Sequence, residues 1–201
     1  MSSLQEKKHE MVRNLNRSAI YDAAVELFKQ YGFDGFTMQQ VAEKAGMAIG
    51  TLYNNFTNKE QIILYVGESL FETFYSSVTE AIKQGSALEK IELFSKCFFE
   101  FGIENRSLIK LFQQVKFDAL RKQKIQRILE LLLDIISDGI SKHEFKKIDT
   151  AKSAMYILSL LIGYNNHFAD SQNFDPEKES KSVVAFLKPY LIGYKQQLNR
   201  Q

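Results

Sequence analysis

Between Asn14 and Tyr31 the apolar residues Leu15, Ala19, Ile20, Ala23, Ala24, Leu27 and Phe28 recur three and four positions apart, which places them along one face of a helix. Gly32 follows where the pattern stops, as a helix C-terminus favours. The next stretch, FTMQQVAEKAG, opens on a capping box, because the Thr37 hydroxyl can accept from the amide three residues on while Gln40 reaches back. Phe36 before the cap and Val41 after it can form the hydrophobic staple that sets the chain's direction into the helix. Gly46 ends this second helix after about two turns, a length at which a sharp turn into another helix is expected. A third helix is predicted from Ala48 to Asn54, with Ile49, Leu52 and Tyr53 as a small apolar face.

The periodicity then lengthens. Thr57 and Glu60 read as a second capping box opening a long helix from Asn58 to about Gln84, and Ser86 with Glu89 as a third, opening a helix through Phe101. Further helices are predicted over Ser107 to Phe112, over Phe117 to Lys142, and from a cap at Asp149 to about Ala169. Asp175 followed by Pro176 marks the start of the last helix, within which Pro189 is expected to introduce a kink. The prediction is an all-α fold. Its one seam lies near Phe56, where short helices give way to long ones, dividing residues 1–56 from residues 57–201.

Composition agrees with a folded, helical chain. Of 201 residues 45% are hydrophobic and 25% charged, and only 10 Gly and 2 Pro interrupt the helix formers. The opening MSSLQEKKHE carries no apolar run behind its charges, and AMYILSLLIGY at 154–164 is about half of the roughly 20 residues that a membrane span needs. A soluble, cytoplasmic protein without membrane contact is the expectation. The single cysteine, Cys97, allows no internal disulfide and no paired-cysteine metal site; its simplest role is a small hydrophobe on a helix. His9, His143 and His167 are too scattered to suggest a metal centre, and no cofactor is expected.

Net charge is +2, and residues 1–60 hold seven basic against seven acidic side chains, so composition alone says nothing about a polyanionic partner. Only the stretch up to Arg17 leans basic, with four basic residues against two acidic. The arrangement of elements says more. Three short helices with a tight Gly turn between the second and third form a helix-turn-helix pattern, whose last helix is built to enter a major groove about 12 Å wide. The segment GFTMQQVAEKAGMAIGTLYNNFTNKEQI resembles the DNA-binding segment of the TetR family of bacterial transcriptional regulators at Gly35, Thr37, Val41, Ala42, Ala45, Gly46, Gly50, Leu52, Tyr53, Phe56, Lys59 and Glu60. The resemblance implies a role for each site residue. Thr37, at a helix N-terminus, would meet a phosphate. Thr51 and Asn54 would contact base edges, with Ala48 and Ile49 adding apolar contacts. Gly50, which costs about 1 kcal/mol relative to alanine in a helix interior, would let the backbone approach DNA. Tyr53 and Lys59 would hold phosphates. Asn55 departs from the family, which often has an aromatic ring there, although its amide can still donate. Phe28, Leu52 and Phe56 read as core.

The remainder resembles the family only in length and helical content. Six phenylalanines, Phe94, Phe98, Phe99, Phe101, Phe112 and Phe117, crowd the middle of the chain, where packed core is the ordinary expectation. The resemblance implies an inducer pocket instead, for which Phe98, Phe101, Phe112, Phe117 and Tyr156 are candidate walls and Gln113 and Asn165 candidate polar contacts; so aromatic a lining implies a lipophilic effector. It also implies a homodimer closed by the last two helices, through Leu161, Tyr164, Phe186, Leu187, Tyr190 and Tyr194. A two-fold dimer would present two reading helices to a palindromic operator in double-stranded DNA, and repression released by the effector is the family default. No phosphate-cradling Gly loop, nucleophile elbow or zinc-protease motif points to an enzyme. The alternative is a helical ligand carrier or scaffold that never binds DNA.

Overall fold

The computed structural model describes residues 2–114, 118–168 and 173–192. Among the described residues there are nine α-helices and no strand: α1 (Ser2–Tyr31), α2 (Met38–Lys44), α3 (Ile49–Asn55), α4 (Lys59–Ala81), α5 (Ala87–Glu104), α6 (Arg106–Gln114), α7 (Asp118–Ser141), α8 (Thr150–Phe168) and α9 (Pro176–Ile192). The all-α expectation holds. Helix α1 begins twelve residues earlier than the apolar pattern suggests, and Leu4, Met11, Val12 and Leu15 are exposed along it. Local propensity accounts for the extension: Gln, Glu, Lys, Met and Leu continue a helix readily without burying a face.

Capping follows the sequence with one change. Thr37 and Gln40 form the expected box on α2, as do Ser86 and Glu89 on α5. At α4 the cap lies one residue later than predicted, for Asn58 Oδ1 accepts from the Gln61 amide at 2.9 Å and Gln61 Oε1 accepts from the Thr57 amide at 2.8 Å. Asparagine outranks threonine as an N-cap, and it takes the position. Asp149 Oδ1 accepts from the Lys152 amide at 3.0 Å at the head of α8, and Asp175 Oδ1 from the Glu177 amide at 3.0 Å at the head of α9. Pro189 lies inside α9, which nonetheless runs on to Ile192.

The chain divides into two compact units, Met1–Phe71 with Ser107–Val115, and Glu72–Arg106 with Lys116–Gln201. In the first unit α1, α2 and α3 pack on one another around Ile20, Ala24, Phe28, Val41, Leu52 and Phe56. The Phe28 ring meets Phe33 and Phe36 at centroid distances of 4.9 and 5.1 Å. Phe112 on α6 also belongs to this unit: its ring lies 5.1 Å from Phe33 and fills the space beside Gly67, where an added Cβ would come within 2.8 Å of it. In the second unit α5 packs on α7, α8 and α9, and α7 on α8, around Ile91, Phe94, Phe99, Leu132, Ile136, Ile157, Leu161, Leu187 and Leu191. Each such side chain contributes about 1.5–3 kcal/mol by leaving water.

Candidate nucleic-acid interface and effector region

The turn between α2 and α3 is set by backbone hydrogen bonds. Gly46 N donates to Glu43 O at 3.1 Å and Met47 N to Ala42 O at 3.0 Å, the paired bonds of a Schellman motif. Gly46 supplies the left-handed residue that this motif requires, at φ +66°. Ala48 then starts α3 without a side-chain cap.

Leu52 is fully buried and anchors α3 in the first unit. The opposite side of the helix carries Gly50, Tyr53 and Asn54, all exposed, with Ala48 exposed ahead of it and Thr51 half-buried at the flank. An added Cβ on Gly50 would meet nothing within 4 Å, so nothing inside the protein asks for glycine there. Three of the polar side chains expected at DNA have partners of their own. Asn55 Nδ2 donates to Thr51 O at 2.8 Å and so caps the end of α3. Lys59 Nζ donates to the carbonyls of Asp34 and Phe36, each at 3.3 Å, and stands 4.6 Å from the Phe36 ring centroid, which fastens the head of α4 to the turn before α2. Thr37 remains exposed, but its hydroxyl and amide both bond Gln40 within the cap. Arg17, which the sequence marks only as the end of a basic stretch, turns inward. Its guanidinium stands 5.0 Å from the Phe56 ring centroid and 4.7 Å from that of Tyr65.

The effector candidates fall in both units. Phe98 and Phe101 face Phe74 in the second unit, at 6.0 and 5.0 Å, within a chain of rings that continues through Phe94, Phe99, Tyr164 and Phe174. Asn165 lies against Gly102 of α5, and its Oδ1 is buried without a hydrogen-bond partner. Phe112 and Gln113 belong to the first unit. Tyr156 is 58% exposed and meets Tyr190 edge-to-face. Phe117 lies outside the described residues. Cys97 is half-buried, and burial pushes its thiol pKa up.

The helices expected to close a dimer carry two distinct apolar faces. Leu161 and Leu187, both expected at the interface, are buried in the chain's own core, where α8 packs on α5 and α7 and α9 packs on α5, as are Val183 and Leu191. The outer face holds Met155, Tyr156, Ile162, Phe186 and Tyr190, each between 37% and 72% exposed. Beside it a groove of about 200 Å³ is lined by Leu160, Tyr164, Ser182, Val183 and Phe186. Tyr164 donates to the Glu179 carboxylate, and that bond pushes its pKa up to about 12. The Tyr190 hydroxyl shares a hydrogen bond of 2.8 Å with Ser153 Oγ. Tyr194 lies outside the described residues. Among the described residues no helix is long and apolar enough to cross a membrane, and no group of three or more His, Cys, Asp or Glu could hold a metal ion.

Comparison with known proteins meets this geometry at the same segment. Residues 20–66 match the family model of bacterial regulatory proteins of the tetR family. A fatty acid metabolism regulator protein of Bacillus subtilis is 30% identical over 135 residues, covering 64% of this chain and 70% of its relative. The chain belongs to the TetR family. An HTH-type transcriptional regulator of Bacillus subtilis extends the likeness of this TetR-family chain to 183 residues at 26% identity, 88% of this chain and 94% of the relative. Among solved structures, a candidate fatty acid metabolism regulator of Clostridium perfringens shares 28% identity and a TM-score of 0.66, covering 83% of this chain and 94% of the other. The fatty acid degradation regulator of Bacillus halodurans shares the fold at a TM-score of 0.71 and 22% identity, over 85% and 93% of the two chains. The TetR-family chain is thus a transcriptional regulator with a helix-turn-helix DNA-binding segment, and these relatives are regulators rather than enzymes.

Proposed function

We propose that this TetR-family regulator acts as a homodimeric repressor, binding a palindromic operator through α3 and released by a fatty acyl effector. The observation that carries the DNA reading is the outer side of α3: an uncharged face of Gly50, Thr51, Tyr53 and Asn54, with open space over the glycine. A threonine methyl can meet a thymine methyl, and an asparagine can bond adenine through two hydrogen bonds. Ala48 and Ile49 add apolar contact at the start of the helix. Tyr53 and the ring of polar groups at Thr37, Asn55 and Lys59 would reach phosphates, the last two with the donors left over from their internal bonds. Under this reading residues 1–56 carry DNA recognition, and residues 57–201 carry effector binding and dimerisation.

Two features support the finer parts. The exposed face of Phe186 and Tyr190, joined by Met155, Tyr156 and Ile162 and edged by the half-buried Tyr164, is a patch that a second copy can cover. A two-fold dimer presents its reading helices about one DNA turn apart. The rings of Phe98 and Phe101 on α5 offer apolar surface, and the unpartnered Asn165 Oδ1, against Gly102 of the same helix, offers a polar atom, a combination that suits an acyl chain with a polar head. The fatty acid regulators among the relatives point to the same ligand class. Release follows as linkage: an effector that prefers the conformation unable to bind operator weakens DNA binding by the same factor, and near-complete switching needs a preference of about 10⁴.

The test is fluorescence anisotropy with a duplex from the region upstream of the coding sequence, against a mixed-sequence duplex. Thr51→Ala combined with Asn54→Ala should abolish the preference for the upstream duplex, since each good side-chain-to-base interaction is worth about 1–3 kcal/mol of discrimination, while the melting temperature stays put. Long-chain acyl compounds should release the wild-type complex. A double variant that keeps the preference would refute the assignment of α3 as the reading helix.

A further inference from the structure

Arg17 sits at the middle of α1, half-buried, and the long aliphatic stem carries its guanidinium into the junction between α3 and α4. There it faces two rings: Phe56, which ends α3, at 5.0 Å, and Tyr65 of α4 at 4.7 Å. The rings are fixed themselves. Phe56 and Tyr65 meet at a centroid distance of 5.1 Å, Phe56 is 3% exposed, and Tyr21, one turn after Arg17 on α1, meets Tyr65 edge-on at 6.4 Å. Cation–π contact holds the guanidinium plane, and three helices share in its placement.

No acid completes this arrangement among the described residues. Arg17 Nε is buried with no hydrogen-bond partner, and no described carboxylate pairs with the guanidinium. Other cations of the same unit are engaged: Lys44 Nζ lies 2.5 Å from Glu26, and Lys59 Nζ bonds the carbonyls of Asp34 and Phe36. A half-buried, rigidly held and uncompensated guanidinium is costly unless an anion arrives to meet it. Its terminal nitrogens are not among the buried orphaned atoms, so they face solvent. The fork that they form matches a phosphate diester, whose two free oxygens can accept in parallel. The ring that it rests on ends the same helix that carries Asn54 and Thr51.

We infer that Arg17 is a preformed phosphate-binding site of the DNA interface, which takes one backbone phosphate per subunit beside the C-terminal end of α3. This rests on the proposed DNA reading. It supplies the cation that α3 lacks, and it does so from α1 by way of packing rather than from the reading helix. Because the guanidinium is already oriented by Phe56 and Tyr65, the contact forms with little side-chain ordering. A phosphate contact carries no sequence information, so Arg17 adds affinity equally to every duplex and fixes the register of α3 rather than its preference.

The test uses the full chain, a mixed-sequence duplex and the upstream duplex, with affinities measured across a range of salt concentrations. Arg17→Gln keeps most of the packing and removes the charge. The expected result is weaker binding to both duplexes by a similar factor, with the slope of log affinity against log salt reduced by about 0.9 per phosphate neutralised, hence by nearly 2 for a dimer. A folded Arg17→Gln variant with the wild-type slope overturns the inference and leaves Arg17 as a packing element alone. Should that variant lose its helical circular dichroism, Arg17→Lys and Arg17→Met decide as a pair: the inference expects a steeper slope for the folded lysine variant than for the folded methionine variant, and equal slopes overturn it. A wild-type chain that binds neither duplex overturns the DNA reading itself and this inference with it.

Discussion

Gly50 separates folding from function on a single residue. Gly50 stands second in α3, in its first turn, where glycine costs less than the roughly 1 kcal/mol relative to alanine of a helix interior, and an added Cβ would meet nothing within 4 Å in this protein. Gly50→Ala should therefore raise the free energy of unfolding in urea by less than about 1 kcal/mol while lowering affinity for the upstream duplex. Equal or tighter binding by the alanine variant would remove the case for close backbone approach at this position. Asn55 makes the opposite expectation. Its amide is already bonded to Thr51 O, so Asn55→Ala should cost about 1 kcal/mol of stability before any effect on DNA, readable in the same denaturation experiment. A glycine inside a predicted helix was legible in the sequence at Gly50, whereas its place in the first turn of α3 and the open space beside it come from the fold. The internal use of Asn55 was not, since only the folded end of α3 brings its amide to that carbonyl.

At the level of elements, turns and caps decide how the helices are joined. Gly46 holds φ +66° in the turn that aims α3, a conformation that costs an ordinary L-residue about 1–2 kcal/mol. Gly46→Ala should lower stability by that amount and, with α3 as the proposed reading helix, reduce operator preference along with it, because the turn is what orients α3. Between α5 and α9 the Glu177 carboxylate bridges Lys181 Nζ at 2.7 Å and Lys96 Nζ at 2.5 Å, and these bonds pull its pKa from the usual 4.5 down to about 2. The folded state therefore favours the ionised carboxylate, a contribution present above about pH 4.5 and lost as pH falls toward 2. Melting curves of wild type and Glu177→Gln should differ at neutral pH and converge as the pH drops through that window; a difference that persists at the acid end would mean that the bridge is not its source. The effect should be small, since all three groups reach solvent.

For the whole molecule, the two apolar faces of α8 and α9 make separable predictions. Leu187 is 5% exposed inside the second unit, whereas Phe186, its neighbour in sequence, is 72% exposed. Leu187→Ala should cost about 2–5 kcal/mol of stability, as a cavity in a packed core does. For the proposed homodimer, Phe186→Asp should leave the fold intact and shift the protein to monomer in sedimentation velocity, with operator affinity falling because one subunit then presents one α3. A dimer that survives Phe186→Asp would move the interface off this face.

The sequence by itself determined the run of helices, the caps at Thr37, Ser86, Asp149 and Asp175, the glycine turn before α3 and the TetR-family membership, because periodicity, capping chemistry and turn residues act over a few neighbouring positions. Tertiary structure decided what acts across long separations. It placed Phe112 beside Phe33 and Gly67, set Arg17 against Phe56 and Tyr65, tied Lys59 to the carbonyls before α2, and turned Leu161 and Leu187 inward while leaving Phe186 outside. An apolar stripe states that a helix face will be covered; which face meets the chain's own core depends on how the helices dock, and that is fixed only when all of them pack together.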